Sequence, residues 1–263
     1  MPFTAKLLMM SPWLLYFLLI AVFLGLSLGL FFIITRLVHV QTRQRDNVIS
    51  SSVFNRVGAM YGVLLAFVVV VMWQQYNKAV DNASREGTAA LGLYRDLNLY
   101  PDKEKTDKAI KSLVEFVRKV VKDEFPAMVQ MKNSQATEEA LNKLWSNTEK
   151  ISPQDRHEQA LYNMVLRDLD NLSKLRQERL LEMESNLPGI VWGALIIGAF
   201  ITIISAILIG AEKLWLHAVL TSMLAILIAT ILFLIIELDY PFIGELSVKP
   251  SSYLRMLEII NHK

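Results

Sequence analysis

The sequence predicts an all-α membrane protein, with four transmembrane helices and a helical extramembrane domain between the second and third, and three observations carry that class. Of 263 residues, 53% are hydrophobic and the mean hydropathy is +0.36, more apolar than a soluble fold of this size. The excess is segregated into four long apolar runs, while the charged residues, 20% of the chain, crowd into Asn77 to Glu184 and two short flanks. No alternating strand pattern of any length occurs.

The first run, Trp13 to Leu37, is too long for the apolar core of a secretory signal and has no small-residue cleavage site before Arg36 and His39, so it reads as a retained helix. The second (Val57 to Trp73), third (Gly189 to Ala211) and fourth (Leu214 to Ile236) approach or exceed the roughly 20 residues that cross hydrocarbon. Gly25 and Gly29, Gly58 and Gly62, and Gly189 and Gly193 stand four apart, a spacing that lets helices approach closely in lipid. Glycine is also simply common in membrane helices.

Beyond the second span, Gln74 to Leu97 has no proline, and Ala79, Val80, Ala83, Ala89, Ala90 and Leu91 favour one long helix projecting into water, weakened only by Gly87 and Gly92. Pro101 and Asp102 break the chain. Ile110, Leu113, Val114, Val117, Val120 and Val121 then mark one face of a helix expected to end at Phe125 and Pro126. A short helix is expected from Thr137 to Lys150. Ser152 as N-cap with Pro153 at the first helical position should start the next, on which Leu161, Val165, Leu169, Leu172, Leu175 and Met183 keep helical spacing. If unbroken to Ser185, that helix is about 50 Å long. A kink is expected at Pro188 and Gly189. The expected divisions are residues 1–75 (first hairpin), 76–187 (helical domain), 188–238 (second hairpin) and 239–263 (tail).

Four spans put both termini and the Asn77 to Glu184 domain on one side and the loops Val38 to Asn55 and Glu212 to Lys213 on the other. Arg36, Arg43, Arg45 and Arg56 around the first loop favour a cytoplasmic loop and an outside domain. Lys6, Lys78, Arg85, Arg176, Arg179, Lys249 and Arg255 flank the opposite faces and argue the other way.

With no cysteine, thiolate metal sites and cysteine nucleophiles are excluded, and a net charge of +2 without a basic stripe gives no nucleic-acid footprint. There is no phosphate loop, no zinc-binding histidine pair and no nucleophile elbow; His39, His157, His217 and His262 are scattered singly, each better read as solvated or interfacial than as a metal ligand. Glu138 with Glu139 and Asp168 with Asp170 read as solvated helix faces rather than acid/base pairs. The chain is therefore not expected to be an enzyme, and no cofactor is implied. The hydrocarbon portions of all four spans lack Asp, Glu, Lys and Arg, which disfavours ion-coupled transport and leaves a passive pathway, a scaffold or a receptor. Val63, Phe67 and Val71 recur every four residues on the second span; a ring of such helices would make an apolar throat able to gate by dewetting. The same spacing fits a lipid-facing or packing stripe.

Two segments carry a family resemblance. VGAMYGVLLAFVVVVMWQQYNKAVDNASREGTAALGLYRDL is similar to the second helix of bestrophins, an apolar, glycine-containing span running into an amphipathic continuation with an aromatic and small residues, here Tyr76 and Ala79 to Ala83. IIELDYPFIG, with Glu237, Asp239, Pro241, Phe242 and Gly244, resembles the acidic-Pro-Phe-Gly segment after the last bestrophin helix. The chain is identified as a member of the bacterial bestrophin-like, or DUF4239, family over nearly its full length. It departs from bestrophins in Ile243 between Phe242 and Gly244, and in having Met72, Trp73 and Gln74 where they carry Arg-Asn-Asn.

The resemblance implies a pentameric, passive ion channel in a bacterial inner membrane, with anions the family default. It implies an apolar neck at Val63, Phe67 and Val71, and a cytoplasmic domain and termini, against the arginine cluster. The implied partners are the lipid bilayer, other copies of the chain and small inorganic ions, with no nucleic acid. Glu237 and Asp239 do not make a calcium clasp of several carboxylates and are expected to cap and anchor the fourth helix where it meets water. The alternative is a non-conducting scaffold or sensor whose helical domain binds a partner. Trp145, alone in a polar helix, suits a partner contact or, better, core packing.

Overall fold

The computed structural model describes residues 3–37, 47–211 and 213–261, and His39, Arg43, Arg45, Glu212 and His262 lie outside the described residues. Helices occupy Phe3–Leu7 (α1), Pro12–Leu37 (α2), Asn47–Leu99 (α3), Lys103–Lys119 (α4), Phe125–Met128 (α5), Gln135–Glu149 (α6), Arg156–Glu184 (α7), Gly189–Leu208 (α8), Leu214–Asp239 (α9) and Ser251–Asn261 (α10). A π-helical turn, Val120–Glu124, joins α4 to α5. No strand occurs among the described residues. Four helices, α2, α3, α8 and α9, are long and apolar enough to cross a membrane, and the chain is a multi-pass membrane protein.

The chain forms two compact units, Pro2–Gln75 with Asn186–Asp239 (the membrane unit) and Tyr76–Ser185 with Tyr240–Lys263 (the helical unit). Within the single chain the three glycine pairs make no close approach: an added Cβ at Gly25, Gly29, Gly58, Gly62, Gly189 or Gly193 would meet nothing within 4 Å. The glycine that does carry a close approach is Gly198 on α8, where a Cβ would come within 2.5 Å of the Tyr61 ring. Tyr61 is buried and donates its hydroxyl to the Leu195 carbonyl at 3.0 Å. α3 starts at Asn47 rather than near Asn55. Asn47 exchanges two hydrogen bonds with the Gly210 backbone, at 3.0 and 3.1 Å, which fixes that early start. His217 on α9 is buried, not solvated, with Nε2 3.0 Å from the Ala206 carbonyl oxygen and its ring edge-on to Phe31.

The helical unit is built on apolar faces that the spacing foretells. Leu113, Val117 and Val120 are buried with Leu141 and Leu144, Val165, Leu169, Leu172 and Met183, and with Ala79, Ala83, Ala90, Leu93 and Leu97 from α3. Trp145 packs against this core and donates Nε1–H to Ser173 Oγ at 3.1 Å. Gly87 does not interrupt α3; it admits α10, since a Cβ there would lie 2.5 Å from Ser252 Cβ.

Three expected helix ends are corrected. Phe125 and Pro126 do not stop the chain, because a proline in the first turn of α5 needs no backbone N–H partner. The cap of α7 is Asp155, whose carboxylate accepts from Glu158 N at 2.7 Å, in place of Ser152. The 29 residues of α7 span about 44 Å. At its end the chain leaves helical geometry at Ser185 and re-enters at Gly189, a break rather than a kink at Pro188.

Candidate functional site

The apolar stretch of α3 is two-faced. Tyr61, Leu65, Val68 and Met72 are buried within the membrane unit. Val63, Phe67 and Val71 lie on the other side, 71%, 68% and 38% exposed, with Met60 and Val70 beside them. A helix with no Asp, Glu, Lys or Arg at these levels gains by burying one apolar face inside its own chain, and keeps a second continuous apolar face available to lipid, to another copy or to a pathway.

The post-helix segment is distributed between the units. Glu237 and Asp239, the end of α9, are buried in the membrane unit rather than set in water as anchors. Asp239 Oδ1 accepts from Leu187 N at 2.6 Å, so its work is to satisfy a backbone donor where α8 has not yet begun. Pro241, Phe242 and Gly244 belong to the helical unit. Phe242 meets Phe125 edge-on at 6.4 Å between ring centroids, and Val248 N donates to the Pro241 carbonyl at 2.8 Å. Gly244 has φ 88°, a left-handed value that favours glycine, which explains its place in the turn.

The helical unit also contains a buried ionic cluster absent from the sequence expectations. Arg179, fully buried, donates from Nε and Nη2 to the Glu86 carboxylate, the Nη2 contact with Oε1 being 2.9 Å, and from Nη2 to Glu124 Oε2 at 2.5 Å. Arg176 donates to Glu124 Oε1 and Oε2 from Nε at 3.1 and 3.2 Å, and from Nη1 to the half-exposed Glu138 at 2.6 Å. The Arg179 guanidinium lies 4.9 Å from the centre of the Phe125 ring. Burial works against both guanidinium charges, but the carboxylates outweigh it, Glu124 and Glu138 at Arg176 and Glu86 and Glu124 at Arg179, and hold both arginines firmly protonated. Burial and the Glu86 charge beside it push the Tyr253 hydroxyl of α10 well up, so it stays neutral. Arg176 and Arg179 are thus core residues rather than membrane-flanking charges, and Glu138, on a half-exposed helix face, is an ion-pair partner of Arg176.

A second, smaller group lies on the same unit. Asn82 Nδ2 donates to Glu182 Oε1 at 2.5 Å and Lys78 Nζ stands 3.5 Å from the same oxygen, while Glu182 Oε2 is buried without a hydrogen-bond partner. A signal for the main cluster is present in the sequence. Arg176 and Arg179 continue the row Val165, Leu169, Leu172 on α7, and Glu86 continues the row Ala79, Ala83, Ala90 on α3. Charges of opposite sign at core positions of different helices must meet, because neither can be buried alone.

Comparison with known proteins agrees with this architecture. Two crystal structures of a bacterial bestrophin homologue from Klebsiella pneumoniae, each carrying one substitution, superpose with TM-scores of 0.69 and 0.63 at 13% and 15% identity. They cover 92% and 91% of this chain and 98% and 96% of theirs. A further membrane-protein crystal structure gives a TM-score of 0.56 at 13% identity over 85% of this chain and 99% of its own. No curated protein matches. The bestrophin-like domain matches residues 21–253. With four membrane-crossing helices, the helical unit and that match in hand, the chain belongs to the bestrophin-like family.

Proposed function

We propose that the chain is the subunit of a passive, oligomeric ion channel whose neck is formed by Val63, Phe67 and Val71 on α3. The observation that carries this reading is the second apolar face of α3, left uncovered by the chain's own helices at the three positions where the resemblance puts a neck. Copies arranged about an axis, five by the family resemblance, would turn that face into a narrow dry throat. The pathway is read as passive because the hydrocarbon portions of the spans carry no Asp, Glu, Lys or Arg to couple ion movement to protonation. Chloride-like anions are the proposed permeant ions, and the protein is placed in a bacterial inner membrane with the helical unit and both termini in the cytoplasm. Glu237, Asp239, Pro241, Phe242 and Gly244 act in this reading as a structural joint after the fourth span, and no cofactor takes part.

The test is ion flux through purified protein in liposomes under chloride and sodium gradients, beside a Phe67→Ala variant. Removing the ring widens the throat; lowering a dewetting barrier by about 1.4 kcal/mol raises flux about tenfold, with oligomer size by light scattering unchanged. Equal flux from the two proteins removes Phe67 from the pore. No flux from either assembled protein rejects the channel in favour of a scaffold that uses the helical unit to bind a partner.

A further inference from the structure

The membrane unit holds two adjoining hollows that share Phe54 and Leu224 in their walls. The outer one, about 270 Å³, lies between the start of α3, the end of α8 and the start of α9, with His217 in its wall. The deeper one, about 330 Å³, follows α9 as far as Ile231, and Gly58 and Gly62 of α3 leave it open, since a Cβ at either would meet nothing within 4 Å. The hydroxyls in these walls, on Tyr61, Thr202 and Thr221, are spent on backbone carbonyls of α8 and α9. His217 differs. Its Nε2 lies 3.0 Å from the Ala206 carbonyl oxygen, which can only accept, so Nε2 carries the proton and Nδ1 of the neutral ring is left an acceptor. That Nδ1 is buried without a hydrogen-bond partner, a cost that an incoming donor would remove.

We propose that the two hollows take one alkyl chain of a hydroxyl-bearing amphiphile, with the hydroxyl donating to His217 Nδ1. Position and size favour that occupant. His217 stands in the first turn of α9, which starts at Leu214, and so lies where hydrocarbon gives way to the polar zone that holds lipid hydroxyls. From Leu216 to Ile231 the hollows follow α9 for about 22 Å, enough for the roughly 15 Å of hydrocarbon in one leaflet. A helix of a second copy does not fit inside, because a single turn about 10 Å across fills about 420 Å³, more than either hollow. Nδ1 is shut off from the hollow in the single chain, so the hydroxyl gains it by a small turn of the imidazole or of the Phe31 ring, which stands edge-on at 5.2 Å between centroids.

The test is equilibrium binding of labelled oleyl alcohol and methyl oleate to the purified full-length protein in detergent. The two probes share their alkyl chain, and only the alcohol has a proton to donate. The wild-type protein is expected to hold the alcohol about fivefold tighter, the worth of one net hydrogen bond. Gly62→Leu fills the deeper hollow and displaces about two methylenes of the chain, so both probes should weaken about tenfold. Gly193→Leu, on α8 and outside both walls, should leave both in place. In His217→Gln the amide N–H still reaches the Ala206 carbonyl but the Nδ1 acceptor is gone; ester affinity should persist and the fivefold advantage of the alcohol should vanish. An alcohol held no tighter than the ester by the wild-type protein, or an advantage that survives His217→Gln, overturns the site. So does saturable binding that Gly62→Leu leaves untouched. No saturable binding of either probe, with Gly62→Leu dispersing the oligomer, gives the hollows to side chains of another copy and overturns the proposal as well.

Discussion

Arg179 and Glu182 stand one turn apart on α7 yet meet different fates on burial. Arg179 has two carboxylates, Glu86 and Glu124, in hydrogen-bonding reach, whereas Glu182 is left with one unpartnered oxygen. Burial pushes the Glu182 carboxyl up, against partial opposition from Lys78 and Asn82. The folded chain then holds this proton more tightly than the unfolded chain. The associated stability is fully present below the ordinary glutamate value, about 4.3, and is lost as pH rises through the raised folded value. Thermal midpoints taken from pH 4 upward should fall less steeply for Glu182→Gln than for the wild-type protein; parallel curves would show that Glu182 ionises as freely folded as unfolded. None of this was legible while charged residues were read as a solvated class. It becomes legible when Arg176 and Arg179 are placed in the same helical row as Leu169 and Leu172. Glu86 is legible in the same way, from the row Ala79, Ala83 and Ala90 on α3.

At the scale of elements, existence was easier to read than ends. The apolar runs and the 3.6-residue rows locate every long helix, since both follow from one face or a whole surface avoiding water. Boundaries were set by contacts the local sequence does not announce, such as Asn47 on Gly210 and Asp155 on Glu158 N. Within one chain the glycine spacing marks no contact: the paired glycines offer close approach, but it is Gly198 that meets a partner ring. Gly198→Ala should therefore overpack against Tyr61 and lower unfolding stability in detergent by about 1–3 kcal/mol. Gly193→Ala, in open space on the same helix, should stabilise it by up to about 1 kcal/mol. Equal effects in paired melts would mean that Tyr61 does not press on α8.

At the scale of the molecule, the family, the four spans and the helical unit were legible because segregated hydropathy and two motif segments run nearly the length of the chain. The candidate neck was legible as spacing, which a pathway wall and a lipid face share; the structure adds that Val63, Phe67 and Val71 are uncovered on a single subunit. The absence of native cysteine supplies a direct discriminator, since any introduced thiol is unique. The measurement is chloride flux through liposomes containing Val63→Cys, Phe67→Cys or Val71→Cys protein, before and after a charged, water-soluble thiol reagent. The account predicts that each modified position blocks flux by tenfold or more, on the order of 1.4 kcal/mol of added barrier, while the cysteine-free parent is unaffected. Thiols that never react, or react without changing flux, would place these three side chains against lipid and contradict the neck.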